Sequence, residues 1–144
     1  MNASTQMKIL GVALFSATVL LAGCATPGGD KGVKVTLSGA EQNPPVTTSA
    51  SGGGTITVAA DKSVSGSITT KGIEATVAHI HMAPTGTNGP VIIPLTKTSD
   101  NVWSVPPGAK LTDAQYESFK AGGLYVNVHS AKHKPGEIRG QLKP

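Results

Sequence analysis

From Val33 onward, apolar and polar residues alternate in short runs. Val33, Val35 and Leu37 are interleaved with Lys34 and Thr36, Ile56 and Val58 with Thr55 and Thr57, and Val64 and Ile68 with Ser65, Ser67 and Thr69. Successive side chains of a strand point to opposite faces, so a two-residue period marks a strand with one buried face. Turn-forming residues separate the runs. Asn43-Pro44-Pro45 reads as a loop, Gly52-Gly53-Gly54 as a loop or bulge, Asp61-Lys62 as a hairpin turn, and Pro84 to Pro90 as a longer loop. Further strands are expected at Val77 to Met82, Val91 to Leu95, Val102 to Val105, Leu124 to Ser130 and Glu137 to Leu142. Pro94 has no N–H for a ladder, so its strand is an edge or carries a bulge. One segment departs from this pattern. Thr112-Asp113-Ala114-Gln115 forms a capping box, Ala114 to Lys120 suit a short helix, and Gly122-Gly123 end it, which predicts one helix near 112–121. The whole predicts an all-β protein, an antiparallel Greek-key-like β-sandwich or barrel. Its core would be Val, Ile and Leu, with Trp103 packed in it or at its rim.

The N-terminus follows a different logic. Lys8 precedes an apolar run from Ile9 to Ala22, which ends in Leu21-Ala22-Gly23-Cys24. The run is too short to span a bilayer comfortably and suits the apolar region of a signal peptide. Small residues followed by the chain's single Cys resemble a bacterial lipobox, in which the thiol takes a diacylglycerol and becomes the first residue of the mature protein. Residues 1–23 are therefore expected to be a lipoprotein signal peptide, residues 24–32 a lipidated Cys24 and its tether, and residues 33–144 one small domain. Such a chain would sit in the cell envelope, anchored to a membrane through its lipid. Ala25 after the Cys suggests the outer membrane, facing the periplasm, in a host with two membranes. With Cys24 lipidated, no thiolate is left for a disulfide, a nucleophile or a metal. The net charge of +4, spread along the chain without a dense Lys/Arg run, gives no footprint for nucleic acid.

The four histidines fall in two clusters, His79-Ile80-His81 and His129 with His133. On a strand, residues i and i+2 share a face about 6.8 Å apart. His79 and His81 would then converge on one ion, with Ala78, Ile80 and Met82 on the other side. In the last two strands the same rule puts Asn127 and His129, and Glu137 and Arg139, on the face away from the core. A polar face with His79, His81, Asn127, His129, Glu137 and Arg139 is expected if these strands are neighbours. Imidazoles without thiolate suit copper, zinc or nickel; copper(II) leads the affinity order for nitrogen ligands, and zinc would use the same ligands tetrahedrally. Asn127 or Glu137 would orient an imidazole from behind. His133 is the weakest candidate, because Lys132 and Lys134 on either side oppose a bound dication. The competing reading is that these histidines are ordinary hydrogen-bonded residues of a sheet. No G-x-S-x-G or phosphate-cradling glycine loop is present.

Leu37-Ser38-Gly39-Ala40-Glu41-Gln42-Asn43-Pro44-Pro45, Ala78-His79-Ile80-His81, Gly89-Pro90-Val91, Leu124 to His129 and Gly136-Glu137-Ile138-Arg139-Gly140-Gln141-Leu142 follow one another in an order that resembles the CHRD domain, named after chordin. Met82-Ala83-Pro84 stands where members commonly carry Gly. The resemblance implies a β-sandwich. In chordin-like proteins the domain accompanies growth-factor-binding modules, and in bacteria it often forms most of a small exported protein. More loosely, the H-x-H strand is similar to the copper-ligand strand of copper/zinc superoxide dismutases. That likeness makes His129 a further ligand and Arg139 an anion guide, although the dismutase disulfide and its dense zinc ligands are missing. Three functions follow as expectations: a copper-binding envelope lipoprotein, a dismutase-like copper enzyme, or a metal-free module that binds an envelope protein. Replacing Cys24 with Ser is expected to abolish fatty-acid labelling and leave the precursor uncleaved; a normally anchored product would overturn the lipobox reading.

Overall fold

The computed structural model describes residues 32–144, so the signal peptide, Cys24 and nearly all of the tether lie outside the described region. Nine strands and one α-helix follow in chain order: β1 (Val33–Ser38), β2 (Ser51–Val58), β3 (Val64–Lys71), β4 (Ala75–Met82), β5 (Val91–Pro94), β6 (Thr96–Ser99), β7 (Val102–Ser104), α1 (Asp113–Lys120), β8 (Leu124–Ser130) and β9 (Ile138–Leu142). A 3₁₀ turn, Gly39–Glu41, follows β1. All strand pairs are antiparallel, in the spatial order β5-β4-β8-β9-β1-β2-β3-β7-β6. The two outermost strands, β5 and β6, are consecutive in sequence and separated only by Leu95. Two ends of one sheet joined by a single residue must curl toward each other. The sheet is therefore a nearly closed barrel, which leaves little edge for foreign strands.

The two-residue period places the core as expected. Leu37, Ile56, Ile68, Val126, Val128, Ile138 and Leu142 are fully buried, and Trp103 packs among them. Thr112 caps α1 through a complete capping box with Gln115, and Phe119 carries the helix into the core. Pro94 ends β5, an edge strand whose register with β4 shifts between Ile80 and His81. Three features were not expected. Thr96–Ser99 is a strand although all four of its residues are exposed. A side-chain period cannot reveal a strand that buries nothing. Arg139, Tyr125, Asn127, Gln141 and Glu137, on the face away from the core, are buried as well, because the loops 39–50 and 83–90 fold over them.

The third is a correction. Gly52, Gly53 and Gly54 are not a loop or bulge; they lie inside β2, paired with β1 on one side and β3 on the other. A Cβ on Gly54 would stand 2.1 Å from the Ser67 carbonyl oxygen, so the close approach of β3 to β2 requires glycine there. Gly54→Val is expected to cost at least about 3 kcal/mol, whereas Thr112→Ala should cost about 1 kcal/mol through the lost cap. Urea midpoints of the two variants measure this; equal small losses would refute the packing account of Gly54.

Candidate metal centre

His79 and His81 lie on β4, and the register of β4 with β8 sets His79 opposite Asn127 and Val77 opposite His129. His129 is therefore the diagonal neighbour of His79 on the same face. One ring nitrogen from each of His79, His81 and His129 lies within 4.8 Å of the other two. His79 Nδ1 and His129 Nε2 are 3.2 Å apart. Ligand nitrogens at about 2.0 Å from a tetrahedral metal are roughly 3.3 Å from each other, so this pair already has the required spacing.

Two backbone carbonyls hold the rings. His81 Nδ1 is 2.9 Å from the Gly89 carbonyl oxygen, and His129 Nδ1 is 2.7 Å from that of Lys134. A carbonyl only accepts, so each Nδ1 is the N–H donor. In the neutral rings, Nε2 of both histidines then carries a lone pair. Nε2 of His81 is buried and has no hydrogen-bond partner. An orphaned buried acceptor is costly in a structural role and is what a metal ligand requires. His79 Nδ1 can donate to His129 Nε2; moving that one proton to the other ring nitrogen of His79 would bring three lone pairs together.

Behind His81 stands a column of stacked groups. The Tyr125 ring lies against the His81 ring at 4.9 Å with 10° between planes, and the Arg139 guanidinium carbon sits 3.5 Å from the Tyr125 ring centre. Arg139 donates to the carbonyl oxygens of Pro84 and Thr87 and to the side-chain oxygens of Asn88 and Gln141. Gln141 donates to the Ala83 carbonyl, and the Gly89 N–H donates to the Tyr125 hydroxyl. The 83–90 loop is thus tied to the sheet along its length. It can lie this close because position 89 is glycine: a Cβ there would stand 1.9 Å from the Met82 carbonyl oxygen.

The remaining sequence candidates sit elsewhere. His133 stands outside the converging group, and its backbone N–H donates to the Ser130 hydroxyl. Asn127 accepts from Gln42 and donates to the Pro135 carbonyl, while Glu137 accepts from Thr48 and Ser130. Neither orients an imidazole; the carbonyls of Gly89 and Lys134 do so. Arg139 is 1% exposed with its donors directed at loop carbonyls and amides, so it does not guide anions. The stacking role of Tyr125 has only a faint signal in the sequence, an aromatic one strand away from an H-x-H. Met82 packs against the core.

A family model for the CHRD domain matches residues 33–142. No curated protein and no solved structure matches the chain.

Burial depresses the pKa of His79 below the ordinary imidazole value of 6.5, helped by the charges that His129 and His81 would carry. Burial also lowers that of His81, and the charges of His129 and Arg139 act in the same direction against the Gly89 hydrogen bond. Both rings are therefore neutral and ready to ligate at neutral pH. The unfolded chain takes up protons at higher pH than the folded one. The stability due to these rings is thus present above pH 6.5 and is lost as pH falls through their lowered folded values. The metal-free protein should unfold at lower urea at pH 5 than at pH 7.5, and His79→Gln/His81→Gln should flatten that difference. An unchanged pH dependence in the double variant would contradict this assignment.

Proposed function

This chain belongs to the CHRD domain family, and from that premise we propose that it is an envelope-anchored lipoprotein that binds copper through His79, His81 and His129. Its role in this reading is to hold or buffer the metal outside the cytoplasm. The observation that carries the proposal is the buried, unpartnered Nε2 of His81 beside two further imidazoles. Its own Nδ1 is held by the Gly89 carbonyl, as the outer nitrogen of a metal-ligating histidine usually is. Copper is favoured over zinc because the converging donors are three imidazole nitrogens without thiolate or carboxylate, a set that suits copper in either oxidation state. Zinc is the natural competitor. Export and lipid anchoring enter from the signal region and Cys24.

A second reading, a metal-free module that docks an envelope protein, draws on Val77 and Val91. They are the exposed large hydrophobics among the described residues, and they are the register partners of His129 and His81. One titration separates the readings. Purified protein without a His tag is expected to bind one copper ion, and His79→Ala/His81→Ala to lower affinity by more than about a hundredfold while the circular dichroism of the fold is unchanged. A site that survives the double substitution would refute copper binding through these histidines, and no site at all would leave the interaction module.

A further inference from the structure

We infer that the three-imidazole site is built for monovalent copper in preference to divalent ions, an inference that rests on the copper-binding reading above. Two independent features lead there. The donor set is three neutral nitrogens, and no carboxylate belongs to the converging group among the described residues. A divalent ion held by it keeps its full charge and still needs a fourth donor from outside. Copper(I), a filled-shell ion content with two or three donors, needs neither an anionic ligand nor a fourth one.

The second feature is the fixed charge behind the site. The Arg139 guanidinium faces the Tyr125 ring at 3.5 Å, and that ring faces His81 at 4.9 Å. A guanidinium cannot lose its proton at any ordinary pH. Arg139 has no carboxylate within salt-bridge distance among the described residues, since its donors go to carbonyl and amide oxygens. Exposed Glu41 acts on the same guanidinium from the surface, and Lys132 and Lys134 lie on the turn whose carbonyl holds His129. Glu137, the acid of that region, has both carboxylate oxygens bonded to hydroxyls, those of Thr48 and Ser130. A unit charge about 10 Å from an ion, at an effective dielectric of about 20, changes relative affinity on the order of tenfold for each unit of ion charge. The buried cation therefore penalises a dication on the order of tenfold more than a monocation.

The test is an anaerobic competition titration of the purified full chain, free of any His tag, with a chromophoric copper(I) chelator and, separately, with zinc(II). The wild type is expected to bind one copper(I) and to retain it against a roughly hundredfold excess of zinc(II). Arg139→Gln is expected to lower the ratio of copper(I) to zinc(II) affinity about tenfold, and Arg139→Lys to restore it. Displacement of copper(I) by that zinc would overturn the inference while leaving a metal site in place. Equal weakening of both ions in Arg139→Gln would make Arg139 a purely structural tie and overturn its electrostatic role. Should Arg139→Gln fail to fold, the wild-type competition decides alone. Binding of neither ion at the histidines would instead overturn the copper-binding reading itself.

Discussion

A guanidinium keeps its charge wherever it is placed, and Arg139 is 1% exposed without an ion-pair partner among the described residues. Burying such a charge is costly unless its donors are satisfied. Here they are satisfied by the Pro84 and Thr87 carbonyls, by Asn88 and Gln141, and by the face of Tyr125. Those acceptors lie mostly on the loop that crosses the sheet, so the need to solvate one cation pins that loop. The pinned loop in turn presents the Gly89 carbonyl to His81 and the Gly89 N–H to Tyr125. The orientation of a candidate ligand thus depends on a charge two stacked groups away.

The candidate ligands themselves stand on strands, and loops supply only the groups that hold them. His79, His81 and His129 come from β4 and β8, adjacent strands of a nearly closed barrel with Val126 and Val128 fully buried behind them. Closure matters because a strand with both neighbours in place cannot slide, and a one-residue slip of β4 would turn His79 and His81 toward the core. The glycines of β2 serve the same closure from the far side, by letting β3 approach. A site on rigid strands with two carbonyls behind it is preorganised, so little ordering remains to oppose binding. The pairing of a dry, orphaned nitrogen on His81 with partly exposed His79 and His129 leaves one side of the site open to an incoming ion.

The pattern of residues by itself determined which face each side chain would take. Strand alternation put Leu37, Ile56, Val126, Val128 and Ile138 inward and His79, His81 and His129 each on the outer face of its own strand, because a strand's period is two whatever surrounds it. Capping chemistry determined α1, since Thr112 and Gln115 satisfy backbone donors that are their own near neighbours. The run of CHRD motifs from Leu37 to Leu142 pointed to the family whose model matches residues 33–142. Only the tertiary structure decided what covers the outer face. Residues expected to meet water, Arg139, Asn127 and Glu137, are buried because loops distant in sequence fold over them, and local polarity carries no trace of such a loop. It also decided that Gly52 to Gly54 form a strand, since glycine has no side chain to show a period and its place depends on how closely β3 approaches. Adjacency of β4 and β8, joined across more than forty residues of intervening chain, turned two separate histidine clusters into one group and left His133 outside it. That pairing is a matter of long-range register, which side-chain alternation within a single strand cannot specify.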